Sequence, residues 1–295
     1  MRILVTGGSG LVGWDLVKRA SEKGHKVFST YYSSDPDTNI GERLYKLDVR
    51  DQATVRQVVS SVQPDVVVHS AAMTDVDACE RNKEKAAEVN VNGTKNVVRA
   101  CEDTESHLLF FSTGFVFDGD QEIYDEPDSR NSVNVYGETK ITAENLVFDS
   151  DIRHTVCRID QPFCWSKPWQ SKTFVEWTLD RLRRGEPFPV FEDWHNTPVY
   201  VPDCNEMVLD LLEDAKTGTW HVVGQEFLSR HEWARIIATS FGYDPDMVQR
   251  GHSDKASLPA SRPSNHLTNG KLERATGQTM RSIHDALETM VTIQP

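Results

Sequence analysis

Ile3-Leu-Val-Thr-Gly-Gly-Ser-Gly-Leu-Val-Gly13 is the stretch that decides the fold. Ile3 to Thr6 is an apolar β run ended by glycines. Leu11 to Ser21 then places Leu11, Val12, Leu16, Val17 and Ala20 at helical spacing. The turn between them reads Gly8-x-Gly10-x-x-Gly13, extended by Gly7. Such a turn suits a dinucleotide. One glycine permits the tight turn, one lets backbone approach pyrophosphate, and one packs helix on strand. The helix N-terminus offers unpaired N–H groups to the phosphates. Gly7, Gly10, Leu11, Val12 and Gly13 are therefore the candidate phosphate-binding residues.

Outward from this turn, strand and helix alternate for 160 residues. Strands are expected at Lys26 to Thr30, Leu44 to Val49, Asp65 to His69, Leu108 to Ser112 and His154 to Ile159. Helices are expected from Asp51 to Val62, Ala86 to Cys101 and Tyr136 to Phe148. The continuous β-branched run Val66 to Val68 fits a strand buried on both faces. This rhythm predicts an α/β fold, a doubly wound parallel (Rossmann) sheet. Beyond residue 160 it loosens into aromatic, Pro-containing segments, with a helix from Thr173 to Arg184 and another from Asp203 to Leu212. We expect a dinucleotide-binding domain over 1–160, rejoined by part of 192–222, and a smaller, interleaved substrate-binding lobe over 161–295.

The chain has 295 residues, 32 Lys plus Arg and 45 Asp plus Glu, for a formal charge of −13. That balance disfavours nucleic acid and anionic membranes as partners, because both need clustered basic residues. A small anionic substrate stays open, since a few arginines can override net charge inside a cleft. Six of the eleven residues from Asp118 to Asp128 are acidic, which reads as a solvated loop. The five cysteines (79, 101, 157, 164, 204) contain no CxxC pair and no His/Cys cluster, so free thiols and no metal are expected. No apolar run approaches a membrane span, and the N-terminus has no signal-peptide core. The expected location is the cytoplasm.

A carboxylate at the end of the second strand usually binds the adenosine 2′-hydroxyl and selects NAD. Here the stretch is Phe28-Ser-Thr-Tyr-Tyr-Ser-Ser34, with neither acid nor Arg, and Asp35 already in the loop. Hydroxyls can accept a 2′-phosphate, so the reading leans to NADP while NAD stays open. Asp48 and Val49, after the third strand, are candidate adenine neighbours; for Asp48 a helix-capping role is the alternative.

Tyr136-Gly-Glu-Thr-Lys140 places a phenol and an ammonium on one helix face. A Tyr with a pKa of about 10 works as an acid–base catalyst near neutrality when a cation favours its phenolate. Ser112-Thr113, ending the fifth strand, can supply a hydroxyl to a substrate carbonyl.

Taken together, GGSGLVG (7–13), AAMTDVDACE (71–80), EVNVNGTKNV (88–97), FSTGFVFDG (111–119), VYGETK (135–140) and RPSNHLTNGKLE (262–273) resemble the extended short-chain dehydrogenases/reductases. Within that group the FVFDG and RPxN elements resemble the dTDP-4-dehydrorhamnose reductase family. The resemblance implies NAD(P)H-dependent reduction of the 4-keto group of a nucleotide-linked 6-deoxy sugar. It implies that Thr113 orients the carbonyl, Tyr136 protonates it, and Lys140 tunes Tyr136 and grips the ribose. Ala71, Ala72 and Met73 would line the cofactor cleft, and Asn90 would be structural. Thr74, Val76 and Asp77 would face nicotinamide and sugar, with Arg262 near the diphosphate. Two features depart from the family: Gly114 stands where Asp is usual, and Asp160-Gln-Pro-Phe-Cys164 replaces a segment like Ser-Trp-Val-Tyr-Gly. Trp165, Trp169 and Trp194 are candidates for stacking a base or sugar. A nucleotide-sugar epimerase or dehydratase, or a non-catalytic NADP-binding regulatory subunit, are the competing expectations. A homodimer is compatible with all of them.

Overall fold

The computed structural model describes residues 1–36 and 40–294. Its centre is a seven-stranded sheet: β1 (Arg2–Thr6), β2 (Lys26–Tyr31), β3 (Arg43–Lys46), β4 (Val66–His69), β5 (His107–Thr113), β6 (His154–Ile159) and β7 (Gly218–His221). The spatial order is β3-β2-β1-β4-β5-β6-β7, with every pairing parallel. The order reverses between β1 and β4, which opens a crevice at the carboxyl ends of those strands. The helices are α1 (Leu11–Glu22), α2 (Gln52–Val62), α3 (Val76–Arg81), α4 (Lys83–Ala87), α5 (Gly93–Thr104), α6 (Val135–Phe148), α7 (Phe174–Arg183), α8 (Val201–Glu213), α9 (Arg230–Ser240), α10 (Gly270–Thr276) and α11 (Ile283–Thr292).

Side chains on a strand alternate between faces, and the sheet's two cores follow that period. Ile3, Val5, Val66, Val68 and Leu109 enter the layer under α1 and α8. Leu4, Val67, Leu108 and Phe110 enter the layer under α2, α5 and α6. All four residues of β4 and all seven of β5 are buried, as helices on both faces require. A third core gathers Val175, Leu179, Trp233, Ile237, Leu287 and Met290 from α7, α9 and α11. Between these cores, α8 packs on α1 and β7 pairs with β6, so the chain returns to the sheet over 201–221.

Two elements differ from the sequence expectation. The third strand stops at Lys46, not Val49. Asp48 accepts the Arg50 backbone N–H at 3.0 Å, an Asx-type turn that ends the extended run. Asp51 then caps α2 by accepting from the N–H groups of Ala53 and Thr54. The single helix expected over 86–101 is divided into α4, a π turn (Glu88–Asn92) and α5. The wide turn faces Asn90 toward the β4 exit while Gly93 lies against Val49; a Cβ on Gly93 would fall 2.7 Å from Val49 Cγ2. Such turns concentrate near functional sites.

One buried ion pair ties the sheet to α6. Arg158 on β6 donates to both oxygens of Glu144, at 3.0 and 2.9 Å, and Arg130 adds a third bond at 2.9 Å. These contacts outweigh burial and hold the Glu144 carboxyl below its ordinary value. Removing one partner of a buried pair leaves the other charge uncompensated, so we expect Arg158→Ala to lower stability by about 3–5 kcal/mol. The carboxylate's stabilising contribution is complete above its unfolded value near 4.5 and is lost as pH falls through its lower folded value. Chemical denaturation across acid pH checks both statements; equal pH slopes for wild type and Glu144→Gln would contradict them.

Candidate active site

The carboxyl ends of β1, β4, β5 and β6 open into a cleft of about 670 Å³. Gly7, Gly10, Leu11, Val12 and Gly13 form one wall. Gly7 adopts φ +70°, and a Cβ there would sit 2.8 Å from the Ala71 backbone. A Cβ on Gly13 would lie 2.5 Å from the Gly7 carbonyl oxygen. Strand, turn and helix thus meet backbone to backbone. Gly10 caps α1 without a side-chain bond, which leaves first-turn N–H groups available to an anion.

The opposite wall carries Thr113, Tyr136 and Lys140. Asn134 caps α6 through the Gly137 N–H at 2.9 Å and sets the first turn that carries Tyr136. Thr113 acts on the Tyr136 phenol from close by, and its hydroxyl oxygen accepts from the Phe115 N–H at 3.2 Å. Burial pushes the Tyr136 pKa up, so it remains a phenol at neutral pH. One turn on, the buried Lys140 donates to the Phe111 carbonyl at 2.6 Å and lies 4.0 Å from the centre of the Phe110 ring. Burial brings its pKa down to about 7, against the pull of Glu144.

Asn90 positions this wall. It accepts from the Met73 N–H at 2.8 Å and donates to the Met73 carbonyl at 3.1 Å and to Thr139 Oγ1 at 3.0 Å. The β4 exit is thereby fixed to α6. Asn265, of the Arg262-Pro-Ser-Asn segment, donates to the Gly114 carbonyl at 2.7 Å and holds the turn after Thr113.

The structure does not bring every expected residue to the cleft. Ala72, Thr74, Val76 and Arg262 line it; Ala71 backs the glycine turn, and Met73 packs behind Tyr136. Asp77 binds Arg262 at 2.7 Å, so the two neutralise each other. Asp48 binds Arg50 at 2.7 Å, and Val49 is buried against α5; neither reaches the cleft. Trp169 and Trp194 line the cleft, whereas Trp165 donates to the Met290 carbonyl and packs edge-on against Phe241. Trp169 Nε1 and Gln170 Nε2 both donate to the Ser9 carbonyl, so the 165–172 segment straps the glycine turn.

Three features were not read from the sequence. Arg50 donates to the Tyr32 hydroxyl at 3.1 Å, bringing a guanidinium to a strand end that has none in sequence. Asp160 is buried in the cleft wall, where desolvation lifts its carboxyl to about 6 against the Thr197 N–H bond at 2.8 Å. A Cβ on Gly114 would come within 3.1 Å of Leu267 Cδ1, so the turn after Thr113 packs closely on the segment that follows Asn265. The third is Arg230, also in the cleft wall. Among the described residues, no group of three or more His, Cys, Asp and Glu is placed to hold a metal ion, and no helix is long and apolar enough to cross a membrane.

The family model described as RmlD substrate binding domain matches residues 1–294. The chain belongs to that family. It is 30% identical over 267 residues to a probable low-salt glycan biosynthesis reductase, Agl14, of Haloferax volcanii, covering 89% of this chain and 88% of that one. It is 30% identical over 295 residues to the dTDP-4-dehydrorhamnose reductase of Mycolicibacterium smegmatis, covering 98% and 85%. The crystal structure of dTDP-4-dehydrorhamnose reductase from Bacillus anthracis in complex with NADP superposes with a TM-score of 0.87 at 25% identity, covering 99% of each chain.

In this member of the RmlD family, Gly137 is the tightest point of the wall that carries Tyr136. A Cβ there would lie 2.0 Å from the Phe115 carbonyl oxygen and 2.1 Å from Ser132 Oγ. Gly137→Ala must displace α6 from the β5 exit. Overpacking of this kind costs about 1–3 kcal/mol, and we expect a melting temperature several degrees lower. A wild-type melting curve would contradict that packing.

Proposed function

We propose that this protein reduces the 4-keto group of a nucleotide-linked 6-deoxy sugar, using NAD(P)H. The observation that carries the reading is the placement of Thr113, Tyr136 and Lys140 across one cleft from the glycine turn. The named reductases among its relatives, and the NADP in the Bacillus anthracis structure, support it.

The residues present fit a dinucleotide. Gly7 and Gly13 sit in a cradle with no room for added side chains, and the uncapped α1 N-terminus at Gly10 suits pyrophosphate. Bound there, the reduced nicotinamide supplies a hydride to the carbonyl carbon. Tyr136, kept protonated by burial, donates its proton to the carbonyl oxygen. Thr113, beside Tyr136 in the same cleft wall, aligns that oxygen. Lys140, one turn along, titrates near neutrality and supplies positive charge as the phenolate forms.

The lean to NADP stands on the hydroxyls at Ser33 and Ser34, of which Ser34 reaches the cleft wall. Asp35, just after this stretch, interacts with the Tyr31 hydroxyl, and the guanidinium of Arg50, itself paired with Asp48, lies beside Tyr32. We assign cofactor binding to residues 1–160 with the 201–221 return, and sugar recognition to the lobe beyond 160. A cytoplasmic location fits the five free cysteines. A homodimer is compatible with this assignment.

Purified protein is to be assayed for NADPH and NADH oxidation with dTDP-4-keto-6-deoxymannose generated in situ. We expect turnover with a higher kcat/KM for NADPH. Tyr136→Phe should lose about 10²-fold or more in kcat while still binding cofactor. A wild-type rate in the variant would refute the role of Tyr136. Cofactor binding without oxidation of either nucleotide would refute the reductase reading.

A further inference from the structure

The cleft is basic in an acidic protein. Lys140, Lys172, Arg230 and Arg262 line it, against Asp160 alone among the lining carboxylates. Three of these cations are already engaged. Lys140 donates to the Phe111 carbonyl, Lys172 binds Asp180, and Arg262 binds Asp77. Arg230 is different. It is 5% exposed, and among the described residues no carboxylate lies within ion-pair distance of it. The carboxylates around it are occupied. Asp160 accepts from Thr197, and Glu232, in the same helical turn, closes a capping box on Ser229.

What surrounds Arg230 is a set of aromatic faces. Its guanidinium carbon lies 4.2 Å from the centre of the Trp194 ring, 4.4 Å from that of Phe174 and 5.3 Å from that of Trp233. Trp194 is held beside it by the Arg230 N–H to Trp194 carbonyl bond, at 2.9 Å, and by the short antiparallel pairing of His195 with Ser229. Arg262 also stacks on Trp194, 5.6 Å from its ring centre. Buried donors in this group lack acceptors: Arg230 Nε, Trp194 Nε1 and Trp233 Nε1. Orphaned donors cost free energy, and a guanidinium costs more. Arg230 is also the first residue of α9, where the helix dipole disfavours a cation. Burial weakens its hold on its proton, against the pull of the nearby Asp160 carboxylate. An oxyanion would relieve each of these penalties at once.

We propose that Arg230, together with the Trp194 indole N–H, binds the diphosphate of the sugar nucleotide, and that Arg262, neutralised by Asp77, does not carry that charge. The inference rests on the sugar-nucleotide reading above and assigns its anionic subsite. A guanidinium fork matches phosphate oxygens bidentately, and the aromatic faces hold it rigid and partly desolvated. Binding energy placed there anchors the nucleotide end of the substrate away from the reacting carbonyl.

Calorimetric titration of the full chain with dTDP and with thymidine tests the assignment. Wild type should bind dTDP at least tenfold more tightly than thymidine. Arg230→Gln should lose at least tenfold in dTDP affinity with thymidine affinity unchanged, and Arg230→Lys should keep part of it. Trp194→Phe keeps the ring but removes the indole donor, and should lose severalfold in dTDP affinity alone. Arg262→Gln should keep the wild-type ratio of the two affinities. A wild-type ratio in Arg230→Gln or Trp194→Phe, or no preference for dTDP in wild type, would overturn the proposal. A purely structural Arg230 would lower the melting temperature without moving the ratio. Arg230-dependent dTDP binding in a protein that reduces no keto sugar would instead refute the reductase reading and leave this subsite standing.

Discussion

Three stretches of backbone meet at the β1–β4 crossover with no space for a methyl group between them. The Gly13 α-carbon faces the Gly7 carbonyl, and Gly7 faces the backbone of Ala71. Polar bonds lock the junction. Ser70 Oγ donates to the Thr6 carbonyl at 2.7 Å, the Gly7 N–H donates to Thr30 Oγ1 at 3.2 Å, and Thr6 Oγ1 meets His69 Nδ1 at 2.7 Å. His69 is fully buried, and desolvation brings its pKa down to about 3, so it stays neutral and bridges Thr6 to Thr94. Because this contact fixes where α1 begins, it also fixes where the uncapped first-turn N–H groups of α1 lie. The crevice between diverging crossovers follows from it.

Charge is distributed against the protein's net sign. A formal charge of −13 keeps the surface acidic, while the cleft collects Lys140, Lys172, Arg230 and Arg262. Low-dielectric walls strengthen such a local field, so an anionic sugar nucleotide and cofactor can be drawn to one face of an acidic molecule. Behind the wall that carries Tyr136 and Lys140, Glu144 holds Arg158 and Arg130 and opposes the loss of the Lys140 proton. A single carboxylate therefore serves both the sheet–helix packing and the electrostatics of the site.

Features encoded by local spacing were legible in the sequence. The glycine turn, the strand–helix rhythm and the Tyr136–Lys140 pair each depend on residues a few positions apart, where period and turn chemistry are visible. What escaped depends on contacts between distant segments. The π turn at Glu88–Asn92 answers to Met73 and Val49, neither of which marks residues 86–101 as anything but helix. Arg50 reaches Tyr32 because β2 pairs with β3, and Arg230 reaches Trp194 through a two-residue bridge. Asp48 was the exception. Its turn with Arg50, two residues away, carried a local signal for ending the strand before Val49.

The most direct measurement follows the hydride. Protein is supplied with NADPH carrying deuterium at the transferable position and with dTDP-4-keto-6-deoxymannose, and the product sugar is read by NMR. Reduction at this site predicts deuterium on C4 of the sugar, with one cofactor oxidised for each sugar reduced. A rearranged sugar with no net oxidation of the cofactor, or a reduced sugar without deuterium at C4, would contradict it.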